Sequence, residues 1–348
     1  MISLCMIVKN EEDILSKCLS NIKNKVDEII VVDTGSTDRT KEIAKKYTDE
    51  IFDFKWCDDF AAARNFSISK AKNDWILVLD ADEEVTEFNN ETINEFINTD
   101  KKIVGRIKII NSFDDSSGKK RLFGRVKRFF NRKYFKYEGI IHEQVVKIDG
   151  EDYKNVNVDI TANHVGYEKE VISRTNKTKR NKKLLQKAIE QKNDDSYLYY
   201  QLGKTFFIED DYLDAELNFK KAIELERNMK YEYVQDLIES YGYTLINLKK
   251  YKKALELINY EDAYKNIADF NFVMGLIYMN NAMFKEAVLK FIECQNSDEC
   301  NIEGVNSYLA NYNIGVIYEC LGFTEEAMKF YKKCGNYKLA LNRLNIIR

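Results

Sequence analysis

Two aspartates one residue apart are the first feature of this chain that can do chemistry. Trp75 to Leu79 reads as a buried apolar strand, and it runs straight into Asp80-Ala81-Asp82-Glu83-Glu84. Carboxylates so spaced at a strand end can reach one hard divalent cation together, or one holds the metal while the other takes a sugar hydroxyl. No cysteine or histidine flanks them in sequence, so Mg2+ or Mn2+ suits the pair better than zinc. A solvated acidic turn is the plain alternative, and a position just after a strand of a parallel sheet weighs against it. Ile29 to Val32 likewise ends in Asp33-Thr34-Gly35-Ser36-Thr37-Asp38. A carboxylate there can accept hydrogen bonds from a nucleoside, and the glycine lets backbone approach closely. Neither G-x-G-x-x-G after the first strand nor G-x-x-x-x-G-K-[ST] occurs, which removes the main support for a dinucleotide or P-loop site.

Such residues need a scaffold that collects strand ends. From Met1 to about Tyr167, short β-branched runs alternate with amphipathic stretches. Ile2 to Val8, Glu28 to Asp33, Ile51 to Phe54 and Trp75 to Asp80 read as strands. Glu11 to Lys23, Asp38 to Tyr47 and Asp59 to Ala71 read as helices, with Thr37, Asp38 and Asp59 as capping residues. The alternation predicts an α/β domain over 1–170: a mostly parallel sheet with helices on both faces and a ligand site beyond the carboxyl ends of the strands. From Val171 only helical periodicity remains, which predicts a connecting helix over 171–195 and an all-α domain over 196–348.

The all-α part repeats itself. Gly203, Gly242, Gly275 and Gly315 are each followed twelve positions later by Ala215, Ala254, Ala287 and Ala327, and four positions beyond those lie Phe219, Ile258, Phe291 and Tyr331. Small residues let two antiparallel helices approach, and the large ones are expected to fill the gaps between hairpins. The pattern resembles the tetratricopeptide repeat of about 34 residues. It implies four stacked hairpins in a right-handed solenoid, closed by a terminal helix around Leu339 to Ile347.

Composition agrees with two folded domains. A length of 348 residues fits about two domains. Wholesale disorder is excluded by 45% hydrophobic and 32% charged residues, and the absence of proline permits long helices. With 54 basic against 57 acidic residues the chain lacks the basicity needed to track a phosphate backbone, so no nucleic-acid partner is expected. Ile2 to Val8 is followed at once by Lys9, Asn10, Glu11 and Glu12, so neither a signal peptide nor a membrane span is expected. The seven cysteines contain no C-x-x-C pair and read as reduced core thiols of a cytoplasmic protein.

Four motifs in order carry a family resemblance: Ile2-Ser3-Leu4-Cys5-Met6-Ile7-Val8-Lys9-Asn10-Glu11, Val32-Asp33-Thr34-Gly35-Ser36-Thr37-Asp38, Phe60-Ala61-Ala62-Ala63-Arg64-Asn65 and Leu79-Asp80-Ala81-Asp82. Together they resemble a family 2 glycosyltransferase of the GT-A fold over roughly the first half of the chain. With the repeats, the chain is similar to the bacterial subgroup that joins this domain to tetratricopeptide-like helices and includes peptide S-glycosyltransferases of the sublancin type. The resemblance implies inverting transfer from a nucleotide sugar, usually a UDP-sugar, assisted by Mg2+ or Mn2+. It implies that Asp33 contacts the uracil or its ribose in a site shared with Val8 and Thr34, Arg64 the base or diphosphate, and Asp80 and Asp82 the ribose and metal. Thr34 stands where many relatives carry a second aspartate, a departure that bears on the uridine preference.

The chain's only histidines, His142 and His164, lie where the catalytic domain should close, and either can supply a third metal ligand or a proton to the diphosphate; a satisfied core histidine is the alternative. An inverting displacement needs a base opposite the leaving group. Glu143, beside His142, is the first candidate, Asp159 the second and Glu83 the third; a thiol acceptor would need less help. Basic residues crowd Arg121, Arg125, Lys127, Arg128, Arg132, Lys133 and Lys136, and again Lys177, Lys179, Arg180, Lys182 and Lys183, where phosphate contact competes with plain solvation. Trp56 and Phe60 can stack on base or sugar or simply pack in the core. The expected partners are a nucleotide sugar and either a protein or peptide acceptor or a second copy bound through the repeats. The competing expectation is a repeat scaffold with an inactive front domain.

Overall fold

The computed structural model describes residues 1–115, 118–164 and 171–347, with the side chains of 113–119 and 165–177 outside that description. Val165, Gly166, Tyr167, the expected boundary at 170, the side chain of Lys177 and Arg348 therefore lie outside the described residues. The chain divides into two compact units: Met1–Phe113 with Arg121–Thr175, and Asp114–Lys120 with Asn176–Arg348.

The first unit runs β1 (Ile2–Val8), α1 (Leu15–Ile22), β2 (Glu28–Asp33), α2 (Thr40–Ala44), β3 (Ile51–Asp53), α3 (Phe60–Lys70), β4 (Trp75–Val78), β5 (Glu83–Phe88), α4 (Asn90–Asn98), β6 (Ile103–Asp115), β7 (Gly118–Asn131), β8 (Phe135–Glu138), β9 (Gln144–Lys147) and β10 (Lys154–His164). Eight strands form one sheet in the order β3-β2-β1-β4-β7-β6-β10-β5, and β8 pairs with β9 separately. β1 pairs parallel with β2 and β4, β2 with β3 and β6 with β10, whereas β4–β7 and β5–β10 are antiparallel, so the sheet is mixed. Alternation sends Leu4 and Met6 into one core layer with Leu15, Leu77 and Phe129, and Cys5 into the other with Ile30, Val78, Phe130 and Tyr137.

Element ends differ from expectation where loops hold polar side chains. Helix α1 starts at Leu15 rather than Glu11, because the segment before it is tied to the loop after β2. Asp59 caps α3, accepting from the Ala62 amide at 2.8 Å. At α2 the N-cap is Arg39 without a side-chain cap; Thr37 turns to Asn10, and Asp38 accepts from the Thr40 amide at 3.0 Å.

The helical part of the second unit begins within α5 (Val171–Gln191), at Asn176, and continues as hairpins. They are α6 (Ser196–Ile208) with α7 (Tyr212–Leu225), α8 (Glu232–Asn247) with α9 (Tyr251–Ala254) and its continuation, α11 (Ala268–Asn280) with α12 (Phe284–Cys294), and α13 (Tyr308–Cys320) with α14 (Thr324–Lys333). The second hairpin's return limb is broken: α9 passes into a 3-10 turn, Leu255–Tyr260, and then α10 (Glu261–Tyr264). Helix α15 (Lys338–Ile346) closes the series. A Cβ on Gly203, Gly275 or Gly315 would lie 2.6 Å from the ring of Phe219, Phe291 or Tyr331, so the large residues fill space inside each hairpin rather than between hairpins. In the second hairpin the 3-10 turn rotates the chain. Leu257 takes the place against Gly242, and Ile258, the expected filler, is exposed. Of the cysteines, all free, Cys57 and Cys320 are exposed rather than core residues. No described helix is long and apolar enough to cross a membrane.

Candidate active site

The parallel strands end on one edge, and three loops there are built from side-chain-to-backbone hydrogen bonds. After β1, Asn10 takes a left-handed conformation (φ 56°) and its side-chain oxygen accepts from the Thr37 amide at 2.8 Å, while its own amide donates to Ser36 Oγ at 2.9 Å. The Glu11 and Glu12 amides donate to Thr40 Oγ1 and Asp38 Oδ2. The loops after β1 and β2 are thus one cradle, and Asn10, Ser36 and Asp38 are members that spacing alone did not single out. Within it Asp33 Oδ1 accepts from the Gly35 and Ser36 amides at 2.9 Å, and Gly35 can supply φ 108° without strain. Asp33 Oδ2 is buried and unpartnered. Thr34 is buried with its hydroxyl and amide both on the Val8 carbonyl, at 3.0 and 2.9 Å, so Thr34 and Val8 hold each other.

At the end of β4 a charged network forms. Asp80 Oδ1 accepts from Arg64 Nη2 at 2.8 Å and Oδ2 from Arg128 Nη2 at 2.7 Å. Arg64 Nε donates to Glu143 Oε1, delivered by the loop between β8 and β9, whose Ile140 carbonyl accepts from the Phe60 amide at 3.0 Å. Glu83 accepts from the Asp80 amide at 2.9 Å and from Arg128 at 3.3 Å. Glu83 thus braces the network from beneath Asp80. Burial favours the uncharged forms, and mutual attraction decides otherwise for most members. It would raise the Asp80 pKa, but Arg128 and Arg64 hold that carboxyl well below its usual range. It would discharge Arg64 and Arg128, but their carboxylate partners hold both more strongly protonated. Glu83 moves the other way, raised by burial and by Asp80 and Asp82 against the pull of Arg128. Tyr137, its ring 5.7 Å from the Arg64 guanidinium carbon, is pushed up to about 12 by burial.

The second aspartate stands apart from the arginines. Asp82 Oδ2 lies 2.8 Å from His164 Nε2, and His164 Nδ1 lies 2.9 Å from Asn111 Oδ1. Burial lowers the His164 pKa, but the Asp82 hydrogen bond and the charges of Asp82, Glu83 and Asp80 together outweigh it, so the net shift is upward. His142, one residue before Glu143, is left-handed (φ 49°), is shifted downward by burial and keeps a buried, unpartnered Nε2. The structure therefore joins Arg64, Asp80 and Glu143 and joins Asp82 with His164. Asp159 is exposed on β10, five residues from His164 and roughly 16 Å along the strand. Arg128 is the member of the basic run that enters the network; Tyr137 and Asn111 had no signal beyond their strands. Trp56 and Phe60 pack on each other edge to face at 4.8 Å. Among the described residues no three His, Cys, Asp or Glu side chains group as a metal cluster.

Comparison with known proteins fits this architecture. The family model described as glycosyl transferase family 2 matches residues 3–149, and that described as tetratricopeptide repeat matches 196–229 and 308–334. The chain carries a family 2 glycosyltransferase domain followed by tetratricopeptide repeats. It is 32% identical over 235 residues to a TPR repeat-containing protein of Synechococcus elongatus, covering 65% of this chain and 57% of that protein. It is 29% identical over 239 residues to the SPbeta prophage-derived glycosyltransferase SunS of Bacillus subtilis, covering 64% and 54%. The chain thus spans little more than half the length of these relatives. Among solved structures, YrrB, a TPR protein with an unusual peptide-binding site, superposes with a TM-score of 0.42 at 24% identity over 50% of this chain and 87% of that one.

Proposed function

We propose that the first unit transfers a glycosyl group from a nucleotide sugar, a UDP-sugar by preference, to an acceptor with inversion at the anomeric carbon. The observation that supports it is the Arg64 guanidinium: buried, fixed by Asp80 and Glu143, and left with Nη1 unpartnered. A buried donor without a partner costs about 1–3 kcal/mol, so a site that keeps one is prepared for an acceptor atom from outside, here a donor oxygen. Asp33 Oδ2, equally buried and open, suits a nucleoside N–H or O–H. Arg64 and Arg128 then face the negative charge that grows on the leaving diphosphate, and Glu143 takes the acceptor's proton.

A metal fits this reading through Asp82 and His164, a carboxylate and an imidazole with a fifth and a quarter of their side-chain surface open. Mg2+ or Mn2+ is commonly held by one or two carboxylates together with substrate phosphates, so two protein ligands suffice. When bound it would supply charge neutralisation at the departing diphosphate. The repeat unit fits a polypeptide acceptor better than a sugar alone, since its hairpins present an extended surface.

The test is release of UDP from a panel of UDP-sugars, with Mn2+ and with chelator, by the intact chain and by Glu143→Gln. Turnover that falls by about 10²-fold in the variant with donor affinity kept supports both reading and base. Absence of nucleotide binding by the intact chain under every condition favours the repeat scaffold with an inactive front unit.

A further inference from the structure

A polar cavity lies in the first unit, away from Asp80. It measures about 530 Å³, and its lining includes Arg125 of β7, Lys108 of β6, Asp159 and Thr161 of β10 and Glu87 of β5. Strand register makes one rung of it: Lys108 is opposite Thr161, and Thr161 is opposite Glu87.

The rung faces the same side of the sheet as the Arg64–Asp80–Arg128 network. Ile107, Ile109, Ile160 and Ala162 belong to the core layer of Leu77 and Phe129, so Lys108 and Thr161, which alternate with them, point to the opposite layer. On β7, Val126 packs in that same first layer, which turns Arg125 and Lys127 the other way; Lys127 lies over the Tyr153 ring, itself packed in the layer of Tyr137. Arg125 is three residues, roughly 10 Å, from Arg128 along one strand.

The two walls of the cavity differ in what they still need. On the acidic wall the Thr161 hydroxyl already donates to Glu87 Oε2 at 2.7 Å. On the basic wall Lys108 leans over the Phe123 ring at 5.0 Å, and neither it nor Arg125 has an ion pair among the described residues. Lys108 and Arg125 line the cavity without an ion pair to its carboxylates, so an anion seated between the two cations gains from both.

We propose that this cavity seats the sugar acceptor, and that the acceptor presents an anionic group, a carboxylate or a phosphate, to Lys108 and Arg125. The inference rests on the glycosyl-transfer reading and adds to it the charge of the acceptor. Asp159, on the facing wall, accepts hydrogen bonds from the acceptor's hydroxyl or amide groups rather than its reacting proton. About 10 Å between Arg125 and Arg128 leaves room for the acceptor to reach from its anionic anchor to the reacting carbon.

The probes are inorganic phosphate and succinate, titrated into the full chain with the donor site saturated by UDP and followed by ligand-detected NMR. Phosphate or succinate should bind in the presence of UDP, and the tighter of the two tells a phosphorylated acceptor from a carboxylate-bearing one. Lys108→Ala/Arg125→Ala should weaken that binding by about tenfold or more, the loss of two charge-assisted contacts, with UDP affinity unchanged. Asp159→Asn should tighten it about two- to fivefold, a gain that misfolding cannot imitate, because it removes a repelling carboxylate. Stoichiometric displacement of the anion by UDP, unchanged binding in the double variant, or no tightening in Asp159→Asn each overturns the assignment. Failure of UDP to bind at all overturns the transfer reading, and the double variant still decides whether the anion seat exists.

Discussion

In the first unit charged groups are gathered from far apart, whereas in the repeats each polar side chain finds its partner one helix or one hairpin away. Arg64 meets Glu143 across 79 positions, His164 meets Asp82 across 82 and Arg128 meets Asp80 across 48. In the second unit Tyr200 meets Asp236 across 36, Lys253 meets Glu216 across 37 and Tyr331 meets Glu319 across 12. The unpaired buried atoms differ as well. Among the described residues the first unit keeps Glu28 Oε1, Asp33 Oδ2, Arg64 Nη1, Asn131 Nδ2, Tyr137 Oη and His142 Nε2 without hydrogen-bond partners, while the repeats leave only the amide oxygens of Asn281 and Asn311. The first unit leaves more of its buried polar capacity open, four of those atoms on residues of the candidate site or beside it, and the repeats use theirs in their own stacking.

The largest expected effect sets one ion pair from each unit side by side. Arg64 has 7% of its side-chain surface exposed, and replacing it leaves Asp80 and Glu143 short of a buried counter-charge. Arg64→Met should therefore cost about 3–5 kcal/mol and abolish UDP release. Lys204 and Asp236 are each about one-third exposed, so Lys204→Met should cost under about 1 kcal/mol. Denaturant unfolding of the full chain, with secondary structure as the probe, reads both. Equal losses would mean that the buried network is no more demanding than an ordinary surface pair.

A smaller effect compares packing. A Cβ on Gly275 meets the Phe291 ring at 2.6 Å, and one on Gly124 of β7 meets nothing within 4 Å. Gly275→Ala should lose about 1–3 kcal/mol from overpacking, partly offset by better helix propensity, whereas Gly124→Ala should stay within about 0.5 kcal/mol. A neutral Gly275→Ala would show that the hairpins are not held by close approach at glycine.

The same contrast explains which features the residues alone disclose. The repeats were legible because their contacts recur at fixed offsets; only the 3-10 turn that moved Leu257 into the place of Ile258 broke the rule. The first three strands and the Asp80–Asp82 pair were legible because apolar runs end there in carboxylates. The partners of that pair were not. Whether Arg128 or another member of its basic run reaches Asp80 depends on which face of β7 it occupies, and that is set by pairing with β4. Whether Glu143 or Asp159 joins Arg64 depends on the loop between β8 and β9, which carries no local pattern. His142 and His164 were equal by rarity, and only the antiparallel return of β10 beside β5 gave His164 to Asp82.

The smallest effect turns on acids that the two units treat in opposite ways. Asp80 is held ionised by two guanidinium groups, but Glu239 of α8, buried beside Asp269 and Asp236, is raised well above the ordinary carboxyl value of 4.5, by burial first and by those two carboxylates next. A group whose folded-state pKa is raised takes up a proton on folding, so its contribution is fully present below the unfolded value and is lost as pH rises through the folded one. The native chain should accordingly lose stability from Glu239 as pH climbs above about 4.5. Glu239→Gln keeps a side-chain oxygen for the Gln235 amide, which donates to Glu239 Oε1 at 2.9 Å, and removes the titration. The variant should melt higher than the native chain at pH 8, and the difference should shrink toward pH 4.5, in thermal scans followed by helical ellipticity. Because other titrating groups are common to both proteins, the difference between the two curves isolates this one. A difference that does not change with pH would mean that Glu239 is charged and solvated in the folded repeat, and that burial does not raise its carboxyl as it raises that of Glu83 beside Asp80.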